Sequence, residues 1–208
     1  MGAAERDEWL RAAWRVRVAQ GLDARRLVFV DECGTHTSLL SLYAWARRGE
    51  RARCSVPRNR GPNTTLLASM TLEGMGPSCL AIVGPTTREV FETYLERVLA
   101  PGLRAGHPGL RAGQVVVMDN LTAHTGEKVR ALIEERGCKL LYLPPYSSPD
   151  LNPIEEAFSK VKALLRRAGA RTREALLEAL GAALDAVTAR DTQGFFEHCG
   201  YRLPGQPL

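Results

Sequence analysis

Apolar residues in this chain fall into two patterns: short unbroken runs, and stripes repeating every three to four positions. Unbroken runs bounded by polar residues predict buried strands. Leu27-Val28-Phe29-Val30 runs straight into Asp31, and Val115-Val116-Val117-Met118 runs straight into Asp119. Residues 39–45 and 139–143 predict two further strands, while residues 64–72 and 79–83 flank the glycine-rich Glu73-Gly74-Met75-Gly76-Pro77 and predict a hairpin. The stripes predict helices. Leu10, Trp14 and Val18 mark one over residues 5–20, packed on the outside of the domain. Val90, Phe91, Tyr94, Leu95, Val98 and Leu99 mark a second, behind a Thr86–Glu89 capping box. Val129, Leu132 and Ile133 mark a third, stopped by Gly137. Ile154, Phe158, Val161 and Leu165 mark a fourth, with Asn152 as N-cap and Pro153 at the first helical position. A long helix from Thr172 to about Thr188 and a short element holding Phe195 and Phe196 complete the chain.

Strands alternating with helices in the second half predict parallel pairing there, and the hairpin predicts an antiparallel part. The expected fold is therefore α/β, a mixed central sheet flanked by helices. No linker divides the 208 residues, so one domain is expected over 27–201, with a helical extension over 1–26 and a tail over 202–208.

Composition narrows the class. Charged residues make up 25 % and hydrophobic ones 45 %, ordinary for a globular protein. No apolar run is long enough to cross a membrane, and the first ten residues do not read as a secretory signal. The five scattered cysteines contain no CxxC pair, which predicts reduced thiols. The Cys33–His36 and His198–Cys199 pairs lack the tight spacing that zinc sites usually bring.

The net charge of +5 fits a nucleic-acid partner, and its distribution says more. Arg47, Arg48, Arg51, Arg53, Arg58 and Arg60 crowd one loop. Lys160, Lys162, Arg166, Arg167, Arg171 and Arg173 crowd the chain behind Glu155. Each run alone reads as a solvated face; two together point towards a phosphate backbone.

A carboxylate at the end of a buried strand is costly unless something compensates it. If the strands ending in Asp31 and Asp119 lie side by side and parallel, both acids reach one edge of the sheet. Glu155, in the first turn of the helix after the last strand, could approach from the side. Three such acids with no cationic partner nearby in sequence would repel one another, and hard divalent cations remove that repulsion. Two ions roughly 3.5–4 Å apart would clamp the attacking and leaving oxygens of a displacement at phosphorus. Structural alternatives stand beside this. Either aspartate could be a turn residue, Glu155 could complete a capping box with Asn152, and Glu156 rivals it as the third acid.

Three segments carry a family likeness: residues 27–32, residues 116–120, and the stretch ending Ser148-Pro149-Asp150-Leu151-Asn152-Pro153-Ile154-Glu155. Together they resemble the DDE transposases of the mariner-related bacterial insertion sequences. The resemblance implies a ribonuclease H-like fold, with Asp31, Asp119 and Glu155 as catalytic and metal-binding acids, so Glu155 over Glu156. It implies Mg2+, or Mn2+, as two ions, and support from Asn120 and from His124, which matches a histidine common in the family. The runs from Tyr43 through Trp45 to Gly49 and from Phe196 to Tyr201 are similar too. Thirty-five residues separate Asp119 from Glu155, one more than usual, the extra one being Ser147 or Ser148. His36 and Arg47 replace the more usual Asn and Pro.

The activity so implied is DNA cleavage to leave a 3′-hydroxyl, then strand transfer into a TA target, by a bacterial, cytoplasmic, nucleoid-associated protein acting as a homodimer. Arg47, Arg48, Lys160, Lys162, Arg166 and Arg167 are the candidate DNA contacts. Family members usually begin with helix-turn-helix modules, which the 26 residues before the first strand cannot hold. That implies the second frame of a split gene, completed from an overlapping upstream frame, or a truncated copy. Two rival readings remain: a decayed transposase retained as a DNA-binding protein, and a ribonuclease H-like nuclease.

Overall fold

The computed structural model describes residues 7–41, 43–56, 61–76, 79–101, 110–145 and 149–201. Helix α1 (Glu8–Gly21) starts where the Asp7 carboxylate accepts from the backbone N–H of Trp9 and Leu10. Strands β1 (Leu27–Thr35), β2 (Thr64–Thr71), β3 (Gly74–Met75) and β4 (Leu80–Val83) follow, then α2 (Arg88–Tyr94), prolonged by a wider π turn over Leu95–Leu99. The second half alternates: β5 (Val115–Met118), α3 (Glu127–Glu134), β6 (Lys139–Tyr142), then α4 (Pro153–Ala168), α5 (Arg173–Asp185) and α6 (Ala189–His198).

Among the described residues the six strands form one mixed sheet, ordered β3-β2-β1-β5-β6, with β4 also paired to β2. β1 runs antiparallel to β2 and parallel to β5, and β5 runs parallel to β6. Strand alternation divides β1 between two cores. Leu27, Phe29 and Cys33 pack with Ile154, Phe158, Leu180 and Phe196 of α4, α5 and α6 on one face, where Trp14 and Val18 of α1 join them. Val28 and Val30 pack with Phe91, Leu95, Val129 and Ile133 of α2 and α3 on the other. Phe29 meets Phe196 and Tyr201 edge-on at 5.2 and 5.1 Å, in the T-shaped arrangement that ring quadrupoles favour.

Four expectations change. β1 does not stop at Asp31: its parallel pairing with β5 ends at Val30, but its antiparallel pairing with the longer β2 continues to Thr35. Residues 39–45 form no strand among those described: Leu39 packs against the core, but Tyr43 and Trp45 are exposed. The cap of α2 is Thr87, whose hydroxyl accepts from the Val90 N–H, not Thr86. The hairpin turn itself folds back as β3. The tail over 202–208, Arg58, Arg60, Ser147 and Ser148 lie outside the described residues. Gly137 has φ +68, and a side chain there would meet Ala112 Cβ at 3.0 Å, so the stop after α3 requires glycine on both counts.

Candidate active site

The sheet register builds the site. Val30 pairs with Met118, so Asp31 and Asp119 each follow a matched residue on adjacent parallel strands, about 4.8 Å apart as strand spacing sets it. By alternation Asp31 faces the α4 side, with Phe29 and Cys33, while Glu32 faces the α2 side. Pro153 at the first position of α4 puts Glu155 in its first turn, close enough for its charge to act on Asp31.

Asp31 is 5 % exposed. Burial pushes its pKa up to about 7, and the negative charges of Glu155 and Asp119 push the same way, against stabilising bonds from the Glu32 N–H and the Asn152 side chain. Those bonds are short: Glu32 N to Oδ1 at 2.7 Å and Asn152 Nδ2 to Oδ2 at 2.7 Å. Asn152 is the N-cap residue of α4, yet its side chain makes no cap bond. The capping-box alternative for Asn152 and Glu155 therefore fails, because the amide is spent on Asp31. Asn152 and Glu32 are the site residues that sequence reasoning missed. The available signal for Asn152 was a polar side chain one residue before a proline-started helix, which equally well signals a cap.

His124 is fully buried. The chain from Asp119 turns tightly, with His124 N–H on Leu121 O at 2.9 Å, and tucks the ring under the sheet edge. Its Nδ1 bonds Asp119 Oδ1, its Nε2 meets Glu32 Oε2 at 3.0 Å, and its ring stacks on Phe91 at 4.1 Å. Burial alone would lower its pKa, but the hydrogen bonds to Asp119 and Glu32 outweigh that and raise it to about 9. Asp119 thus has the cationic partner the sequence was expected to lack. Asn120 is exposed and hydrogen-bonds none of the three acids; its expected supporting role has no contact behind it in this structure.

Among the described residues no three His, Cys, Asp or Glu side chains converge as a ready metal cage. The Asp31 carboxylate faces the Asn152 amide, and the Asp119 carboxylate faces the His124 ring. Beside Glu155, Pro149, Asp150, Glu156, Ser159 and His198 line a cleft of about 290 Å³. Glu156, the rival third acid, is bonded to His198. Burial pushes the Cys33 thiol up to about 12, and all five cysteines are free; Cys33 is a neutral core residue. The His36 ring accepts from the Ser38 N–H at 3.2 Å.

The basic residues divide. Lys160 is ion-paired with Asp191 at 2.6 Å and Arg171 donates to Thr37 O and Leu39 O at 3.1 and 3.0 Å, so both have structural partners. Lys162 lies near enough to Cys33 to favour its thiolate. Arg47, Arg48 and Arg167 are exposed, and Arg166 is half-buried. None of the described helices is long and apolar enough to cross a membrane.

The mixed sheet flanked by helices, with Asp31 and Asp119 following matched residues on adjacent parallel strands, has the ribonuclease H-like architecture. Within it the family is shown: the model of the DDE superfamily endonucleases matches residues 26–177, and the chain belongs to that family. It is 31 % identical over 137 residues to the Tcb1 transposable-element transposase of the nematode Caenorhabditis briggsae, a match covering 64 % of this chain and 48 % of that protein. This chain thus spans about half the length of that relative, whose source lends the bacterial expectation no support. In fold it resembles the Mos1 transposase paired-end complex with the left transposon end (TM-score 0.71, 18 % identity, 96 % of this chain and 62 % of that one). The Mos1 paired-end complex with Mn gives 0.66 at 18 % identity, covering 96 % and 63 %. The Mos1 catalytic domain alone gives 0.60 at 16 % identity, covering 96 % of each chain.

Proposed function

We propose that this chain is the catalytic domain of a cut-and-paste transposase, cleaving DNA phosphodiester bonds and joining the resulting 3′-hydroxyl to target DNA. The observation that carries the reading is the paired exit of Asp31 and Asp119 from adjacent parallel strands, with Glu155 bearing electrostatically on the more buried of them. The relative's activity and the Mn in a Mos1 complex support it.

The residues fit a divalent cation. Burial first, then the negative charges of Glu155 and Asp119, push the pKa of Asp31 up to about 7, and the three proposed ligands offer only oxygen, which suits Mg2+ or Mn2+. Two such ions held by Asp31, Asp119 and Glu155 would supply Lewis-acid activation and charge neutralisation at phosphorus. The chain's own residues do the rest. Asn152 and the Glu32 N–H fix both oxygens of Asp31, and His124 fixes Asp119. Lys162 and Arg166 hold the DNA backbone beside the cut, joined by Arg47, Arg48 and Arg167. The TA target, the homodimer and an upstream helix-turn-helix module belong to the same reading.

The test is nicking of supercoiled plasmid in Mg2+ or Mn2+. Wild type should nick, and Asp119→Asn should lose at least about 100-fold, the scale on which removing a principal electrostatic group acts. Equal background in both would favour the decayed DNA-binding reading. Preference for an RNA–DNA hybrid over duplex DNA would favour a ribonuclease.

A further inference from the structure

Glu32 follows a proposed metal ligand in sequence but faces away from it. Asp31 looks to the α4 side of the sheet, and Glu32 looks to the α2 side, among Val28, Val30 and Phe91. There its Oε2 lies 3.0 Å from His124 Nε2, while the other ring nitrogen bonds Asp119 Oδ1. A third ring contact and two bonds to the backbone of its turn hold the imidazole further. Phe91 stacks on it at 4.1 Å, the Tyr142 hydroxyl donates to the His124 carbonyl at 2.9 Å, and the Arg88 guanidinium donates to Thr122 O in the same turn at 3.2 Å. An imidazole that donates to a carboxylate from each nitrogen cannot turn over without giving up both bonds, so the outer acceptor sets the orientation in which Nδ1–H is presented inward.

We infer that Glu32 is a positioning residue: by accepting from His124 Nε2 it locks the ring so that Nδ1–H fixes the Asp119 carboxylate in one orientation. Glu32 is then neither a fourth acid of the site nor a ligand. It acts through His124, across the sheet from the chemistry. The inference rests on the proposed role of Asp119, so its test has an arm independent of cleavage.

That arm is nitrogen-15 NMR of the imidazole in the metal-free 208-residue chain. Wild type should show a slowly exchanging ring proton on both nitrogens of His124. Glu32→Ala should lose the Nε2 proton signal and broaden Nδ1, and Glu32→Gln, whose carbonyl still accepts, should restore both. In plasmid nicking Glu32→Ala should fall roughly 10-fold, the lower end of what losing a direct partner of a metal ligand costs, because Glu32 acts one step further out, and Glu32→Gln should recover most of it. Fast exchange at Nε2 in wild type, or Glu32→Gln no better than Glu32→Ala in both assays, overturns the inference, and the wild-type spectrum decides even where Glu32→Ala fails to fold. Absence of nicking by wild type alongside the locked-ring spectrum sinks the transposase reading and leaves the ring-locking role standing.

Discussion

At the scale of single residues, the site stores unfavourable energy in Asp31. Its folded pKa, about 7, exceeds the value of about 3.9 it would have unfolded. The native state therefore binds the proton more tightly, and ionisation favours unfolding. Stability of the metal-free protein should be highest below about pH 4, as far as this group is concerned, and fall as pH rises to about 7. Asp31→Asn removes the charge while keeping the shape. It should stabilise the metal-free protein at about pH 8 by a few kcal/mol, on the scale of about 1.36 kcal/mol per unit of pKa, and abolish nicking. Urea unfolding checks it, and an unchanged or lowered midpoint would show that Asp31 is not strained. The sequence singled out three acids, because two apolar runs end on aspartate and the third acid sits in a specific motif, and the register of β1 on β5 puts the two aspartates side by side. It hid Glu32 and Asn152, since their roles depend on which face of a strand and which end of a helix they meet. Asn152 reads as a cap from its neighbours, and only the register of β1 against α4 turns its amide to Asp31.

At the scale of elements, what periodicity could show was shown: β5, α3, β6 and α4 lie within one or two residues of expectation, because each buries a clear run or stripe. The misses share a cause. Residues 39–45 are apolar enough for a strand but find no strand to pair with among the described residues, and β1 outran its apolar stretch because β2 offers partners as far as Thr35. The anchoring of α1 was also illegible, since it depends on a residue that reads as surface. Arg11 is fully buried, and its guanidinium donates to Asp150 at 2.8 Å in the turn before α4. Trp14 Nε1 donates to the Tyr201 hydroxyl at 3.1 Å, which donates in turn to Leu151 O at 2.7 Å. These ties fix the start of α4, and with it Glu155. Arg11→Ala leaves a cavity and takes the guanidinium from Asp150, which still reaches solvent, so the cost should be about 1–3 kcal/mol, below that of a fully buried pair. Denaturant unfolding measures it, with nicking reduced in step. A neutral result would mean that α1 does not hold α4.

At the scale of the whole molecule, the sheet delivers acids to one edge and α4 carries cations away from it. Glu155, Ser159, Lys162 and Arg166 recur at helical spacing and share one stripe, and Lys162 acts electrostatically on Cys33, behind Asp31. Lys160 lies on the neighbouring stripe and answers to α6, where its ammonium bonds Asp191 and pulls that acid down to about 2. Sequence proximity grouped these lysines; helix geometry separates them. Duplex DNA binding should therefore weaken with salt, and Lys162→Ala with Arg166→Ala should reduce the slope of log affinity against log salt by about 0.9 for each phosphate no longer neutralised. Lys160→Ala should leave the slope unchanged and lower the melting temperature, because it unpins the capping box in which Asp191 bonds Thr188. Fluorescence anisotropy across a salt series reads the first effect, and a thermal melt reads the second. If Lys160→Ala flattens the slope as much as Lys162→Ala does, the backbone runs between α4 and α6 instead of along the acid-bearing stripe, and the path of DNA through the site must be redrawn.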